Sequence, residues 1–208
     1  MNRNGEPSGH TSVSRRAFLK GSGAAAAATG LVVGESAIAE VPERKKAKSL
    51  GPGLTKITLD VNGQKRQVEV EPRMTLLEVL RYRLNLTGAK PVSNDGVSGA
   101  STVLVAGKPV SASTTLAVQC VGKPIVTAEG LGGKKTDAVP AAFVAHDASQ
   151  CGFCTPGFVV AVRAFLNKHP KATEADIRQG LNGNICRCGT YANVIDAAIA
   201  VVKGSRNA

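Results

Sequence analysis

Most of the chemistry this chain could do rests on five cysteines: Cys120, Cys151, Cys154, Cys186 and Cys188. Cys120 stands alone between Val118-Gln119 and Val121, and a single cysteine in such a stretch reads as a small buried hydrophobe. The other four form two tight pairs, Cys151-Gly152-Phe153-Cys154 and Cys186-Arg187-Cys188, with positions 155–185 between them. Three uses compete. Disulfides suit an oxidising compartment. However, a C-x-C pair is badly placed to bridge itself, and a C-x-x-C redox site belongs in a strand-to-helix context that is missing here. Zinc takes four thiolates as well, more usually from two C-x-x-C arms. A [2Fe–2S] cluster takes four thiolates and is anionic, so it calls for nearby backbone N–H donors and some exclusion of water. Gly152, Gly157, Gly183 and Gly189 would let backbone approach the sulfurs without a Cβ in the way. Arg187, between two of the cysteines, could offset charge or point to solvent. On these residues alone, all three uses stay open.

A second constellation is built from serines. The stretch GAKPVSNDGVSGASTVLV, residues 88–105, has the look of a cluster-binding loop without its cysteines. Serines stand at Ser93, Ser98 and Ser101, and a fourth follows at Ser113. A serine hydroxyl ionises far less readily than a thiol and is a poor ligand to iron. No other stretch carries a nucleophile–base arrangement, a phosphate-cradling glycine loop before a helix, or a candidate carboxylate pair. The chain therefore has no evident catalytic centre of its own.

The elements that must position these residues fall into two sets. Lys56–Val61 and Gln67–Val70 alternate polar and apolar around Asn62-Gly63, a strong hairpin signal. Thr75-Leu76-Leu77-Glu78 forms a capping box and predicts a helix to about Leu84. Strands are expected over Thr102–Val105 and Val110–Ser113, around Ala106-Gly107-Lys108-Pro109, and at Ile125–Thr127. These elements make a small α+β sheet domain over residues 54–130. After Gly130-Leu131-Gly132-Gly133 the pattern turns helical: Ala138–Ala148, an almost wholly apolar Phe158–Asn167, a short helix capped by Thr173 and ending near Gly180, and Tyr191–Val202. They predict a compact bundle of about four helices over residues 134–204. Both cysteine pairs fall at helix ends or in loops. No internal repeat is present.

Composition bounds the rest. The 208 residues are 43% hydrophobic, 20% charged and 3% aromatic, with a formal charge of +11. That is a globular mixture whose core must be Ala, Val, Leu and Ile. The basic residues are scattered apart from a run at residues 43–48, and no aromatics interleave with them, which argues against a nucleic-acid surface. At the N-terminus, Ser14-Arg15-Arg16-Ala17-Phe18-Leu19-Lys20 precedes a mild apolar run ending in Ala37-Ile38-Ala39. Charge, apolar run and small-x-small site come in the order of an export leader. Residues 1–39 resemble a twin-arginine signal, and 40–53 read as a flexible linker. The apolar run is too short and too rich in Ala and Gly for a membrane span.

The flanks of the cysteine pairs carry a family resemblance. Gln150-Cys151-Gly152-Phe153-Cys154-Thr155-Pro156-Gly157 and Gly183-Asn184-Ile185-Cys186-Arg187-Cys188-Gly189-Thr190-Tyr191 are similar to the helical cluster domain of the small iron–sulfur subunit of molybdenum hydroxylases, the xanthine dehydrogenase/aldehyde oxidase family. The resemblance runs from Thr55 to Val202. It implies a ferredoxin-like (β-grasp) sheet domain followed by a four-helix [2Fe–2S]-binding bundle. Cys151, Cys154, Cys186 and Cys188 would bind the cluster, and Gln150 would lie near the molybdopterin of a separate large subunit. The family's sheet domain carries a second cluster on the motif Gly-Cys-x-x-Gly-x-Cys-Gly-x-Cys and a later cysteine. Gly96, Gly99 and Ala100 match that motif, but the ligand positions fall on Ser93, Ser98, Ser101 and Ser113, and Val92 replaces the leading glycine. The expectation is one cluster, in an exported, periplasmic electron-transfer subunit. Its partner would oxidise an aldehyde or N-heterocycle, and electrons would leave to an acceptor such as a periplasmic cytochrome. Two other readings are a structural or assembly subunit that carries no current, and a zinc or disulfide protein.

Overall fold

The chain divides into two units, residues 1–48 and 49–208. The computed structural model describes residues 50–133 and 136–206, together with Ser14 and Arg16. The rest of the expected leader, and the linker up to residue 49, lie outside the described residues.

The second unit begins with a hairpin, β1 (Thr55–Val61) and β2 (Gln64–Val70), paired antiparallel from Thr55↔Val70 to Val61↔Gln64. Asn62 and Gly63 both take positive φ, 53° and 75°, as a two-residue turn matched to strand twist requires. Alternation puts Ile57, Leu59, Val61, Val68 and Val70 inside. The Thr75–Glu78 capping box is formed and starts α1 (Leu76–Glu78). The expected helix to Leu84 does not stay α-helical. Val79–Arg83 widens into a π turn, closed by Leu84 N–H donating to Val79 O at 3.1 Å, and Asn85 ends it at φ 54°.

Strands β3 (Thr102–Val105) and β4 (Lys108–Ser111) follow. The expected turn is too long and the expected second strand starts too late: Ala106 and Gly107 alone make the turn, with φ 50° and 74°, so pairing begins at Val105↔Lys108. A 3₁₀ turn over Ala117–Cys120 leads to β5 (Pro124–Val126), one residue earlier than expected. The sheet order is β2-β1-β5-β3-β4, with β1 and β5 parallel and the other pairs antiparallel. One side of this mixed sheet and α1 enclose a core of Leu59, Val70, Leu76, Leu80, Val103 and Ile125, and Cys120 is buried among them as a small apolar residue.

A one-turn helix, α2 (Ala128–Leu131), occupies part of the stretch read as a break. Then come α3 (Ala138–Ala145), shorter than expected because Asp147 turns the chain at φ 49°, α4 (Thr155–Lys168), α5 (Glu174–Gly180) and α6 (Tyr191–Arg206). The α+β architecture and the four principal helices agree with the expectation. Helix α4 packs on both the helical core and the sheet. Phe158, Val159, Val162 and Leu166 pack into the helical core, while Val160 and Ala164 pack on Leu104 of β3. At its start, Gly157 meets the serine-bearing loop so closely that a Cβ there would lie 2.3 Å from Gly99 O. Among the described residues, no helix is long and apolar enough to cross a membrane.

Candidate metal centre

Cys151 and Cys154 lie on the turn that joins α3 to α4, and Cys154 is the N-cap of α4. Pro156 starts that helix without wasting an N–H, since the first-turn donors have no helical partner. Gly152, at φ 81°, bends the turn back on itself. Cys186 and Cys188 lie on the turn between α5 and α6, where Gly189, at φ 79°, plays the same part. Tyr191, the first residue of α6, holds this second turn: Cys186 N–H donates to Tyr191 Oη at 3.1 Å, and Tyr191 Oη donates to Asn184 O at 2.6 Å. The Tyr191 ring packs edge-on against Phe158 of α4 with 5.5 Å between centroids, so one aromatic pair links the supports of both turns.

The turns face each other, and the four thiols meet in two pairs. Cys151 interacts with Cys188, and Cys154 with Cys186. Among the described residues, no three His, Cys, Asp or Glu side chains are gathered as a single metal ion would need. Cys154 and Cys186 are half-buried against the helical core, Cys188 is half-buried, and Cys151 is exposed.

The thiol electrostatics follow from this placement. Burial, with Cys186 beside it, pushes the Cys154 thiol up to about 12. Burial acts on Cys186 in the same sense, but hydrogen bonds outweigh it: those from the Thr190 hydroxyl, from the Thr190 and Cys188 backbones and from the Cys154 thiol together hold it at about 7. The Thr190 Oγ1–Cys186 Sγ distance is 3.1 Å. The Phe153 backbone N–H and the Cys188 thiol lower Cys151, while sharing a proton with Cys151 raises Cys188. Within each pair, two thiols this close cannot both ionise at low cost without a cation between them. Backbone N–H groups already aimed at Cys151, Cys186 and Cys188 are the donors that an anionic iron–sulfur cluster uses. The donor set is chemically suited to such a cluster.

Gln150 is exposed directly beside Cys151, and Arg187 is exposed between Cys186 and Cys188, as a side chain turned to solvent would be. Of the glycines expected to make room for sulfur, Gly152 and Gly189 do bend the two turns, but Gly157 is small for another reason, its approach to Gly99 O and Ala100. Asn184, Thr190 and Tyr191 carry site contacts that the sequence motif contains without revealing. The hydroxyls of the serine loop bond to one another. Ser93 Oγ and Ser98 Oγ are 2.8 Å apart, and Ser101, Ser111 and Ser113 form a triangle of hydroxyls at 3.1, 3.1 and 2.9 Å. Ser111 is not a ligand position of the motif. It joins Ser113 at the same strand end and becomes visible only once β4 is in register.

Residues 127–199, which include all four clustered cysteines, match a family model described as a [2Fe-2S] binding domain, and residues 12–32 match a TAT (twin-arginine translocation) pathway signal sequence. The chain is 41% identical to the aldehyde oxidoreductase iron–sulfur-binding subunit PaoA of Escherichia coli (strain K12), over 94% of this chain and 91% of that protein. It belongs to the iron–sulfur subunits of the molybdenum hydroxylase family. It is also 39% identical to the nicotine 6-hydroxylase small subunit of Paenarthrobacter nicotinovorans, over 69% of this chain and 87% of that protein. Among solved structures, quinoline 2-oxidoreductase from Pseudomonas putida 86 superposes with a TM-score of 0.70 at 40% identity, covering 75% of this chain and 98% of that one. The mixed sheet with its helices is thus the fold of these subunits. The leader supports twin-arginine export to the periplasm.

Proposed function

We propose that this protein is the electron-transfer subunit of an exported molybdenum hydroxylase, passing electrons from the molybdopterin of a partner large subunit through one [2Fe–2S] cluster as an aldehyde or N-heterocycle is oxidised. The observation that carries the reading is the placement of four thiols on two turns at helix ends, paired as Cys151 with Cys188 and Cys154 with Cys186, with Thr190 Oγ1 3.1 Å from Cys186 Sγ. Cys151, Cys154, Cys186 and Cys188 are the ligands. When bound, the cluster supplies one-electron storage. The chain's own residues do the rest. Gly152 and Gly189 set the turns, Thr190 and the Phe153 and Cys188 backbones donate toward sulfur, and Tyr191 locks the second turn to Asn184. Half-burial of Cys154 and Cys186 limits water on the protein side.

Exposed Gln150, next to the exposed Cys151, supports a reading in which that edge faces the molybdopterin of the large subunit. The division into a sheet domain over 54–130 and a helical domain over 134–204 is part of the same reading, as is a periplasmic cytochrome for the final acceptor. The test is spectroscopic. The complex, isolated anaerobically from the periplasm and reduced with dithionite, is expected to give the paramagnetic signal of a reduced [2Fe–2S] cluster, and Cys154→Ser is expected to lose it while keeping wild-type circular dichroism. A wild-type complex with no such signal would rule the reading out.

A further inference from the structure

We infer that the serine-bearing loop is a cluster-free brace: it holds no metal, and its backbone positions the turn that carries Cys186. The inference rests on the proposed cluster at the four cysteines. The loop has the outline of a cluster cradle, with Gly96 and Gly99 at φ 81° and 67°, but its hydroxyls are bonded to one another. Ser93 and Ser98 pair at 2.8 Å, and Ser98 N–H also donates to Ser93 Oγ at 3.1 Å. Ser101 and Ser113, 3% and 9% exposed, close on each other and on Ser111. To ligate iron, each hydroxyl would have to ionise at a pKa far above that of a thiol and surrender these bonds. The residues present do not fit a second cluster.

What the loop does instead is visible in its backbone. Gly99 O accepts a 3.0 Å hydrogen bond from Asn184 Nδ2, whose residue is only 6% exposed. Ser98 O accepts from Ile185 N–H at 3.0 Å. Asn184 and Ile185 are the two residues immediately before Cys186, and Asn184 O in turn accepts from Tyr191 Oη, which receives Cys186 N–H. Gly99 is the residue that permits the approach. A Cβ on it would lie 2.4 Å from Gly183 O and 2.6 Å from Asn184 Nδ2. The hydroxyl network fixes the loop's shape, and the loop fixes the ligand turn. Asn184 is a positioning residue for Cys186, and the loop persists without ligands of its own because the remaining site leans on it.

Two readouts on the intact complex test this. In a reductive titration followed by electron paramagnetic resonance, the small subunit is expected to take up one electron per chain in one step with one signal. Two distinct signals assigned to this chain would overturn the inference, and with it the count of one cluster, while leaving the electron-transfer role itself standing. No signal at all would sink the proposed function and, with it, the part of the brace that serves a cluster. The second readout is Asn184→Ala, expected to release iron to a chelator about tenfold faster or more and to change the g-anisotropy of the remaining signal. Thr173→Ala, a cap remote from the turn, should change neither. Wild-type iron retention and an unaltered spectrum in Asn184→Ala would refute the brace.

Discussion

Gly157 shows how a single residue can be read correctly as glycine and wrongly as to cause. A cysteine motif with a glycine three residues on suggests room for sulfur, but the atom that needs the room is Gly99 O, distant in sequence and brought near only when α4 docks on the serine loop. Gly157→Ala is expected to cost about 1–3 kcal/mol through overpacking, read as a lower melting temperature with the cysteines untouched. The four cysteines are legible in the sequence because each pair is local. Asn184 is not, because its partner lies 85 positions away. The serines are legible as missing ligands, but their mutual hydrogen bonds depend on the β3–β4 register, which a two-residue turn sets and a four-residue turn would shift.

At the scale of elements, the parts that declare themselves are those fixed by local backbone chemistry. Asn62-Gly63 dictates the first hairpin, and Thr75-Glu78 and Thr173-Asp176 each form the reciprocal cap that their spacing implies. The π turn after Glu78 has no local signature in Val79–Arg83, and nothing in a 3.6-residue period distinguishes it. Removing the cap of α5 with Thr173→Ala should cost about 1 kcal/mol, measurable by urea denaturation. The Thr173 hydroxyl and backbone N–H hold Asp176 below its free value of 3.8. A lowered folded pKa contributes stability that is present above the unfolded value and is lost as pH falls through the folded one. Stability should therefore drop as pH falls below about 4, and Asp176→Asn should flatten that part of the profile. A wild-type profile in the variant would assign the loss to other carboxylates. In α4, Phe158 lies fully buried and also supports Tyr191, so Phe158→Ala should cost about 3–5 kcal/mol and loosen the Cys186 turn together with the core.

For the whole molecule, folding and export have to be compatible. A chain that is to cross a membrane by the twin-arginine route needs its leader intact, and replacing both Arg15 and Arg16 with Lys should keep the precursor in the cytoplasm, as cell fractionation would show. Correct sorting with both arginines replaced would remove the leader's assigned part. The two cores, one under the sheet and one in the helices, are joined along α4 by Val160, Ala164 and Leu104, so the serine loop and the cysteine turns belong to one compact unit. That joining is what would let a loop without ligands support the proposed cluster site. The most direct measurement is iron and acid-labile sulfide per small chain in the anaerobically isolated complex, corrected for iron on its other chains. The expected result is about two of each, the content of one [2Fe–2S] cluster. Iron-free protein with zinc bound or its cysteines oxidised would contradict the central claim, and four irons would return a cluster to the serine loop.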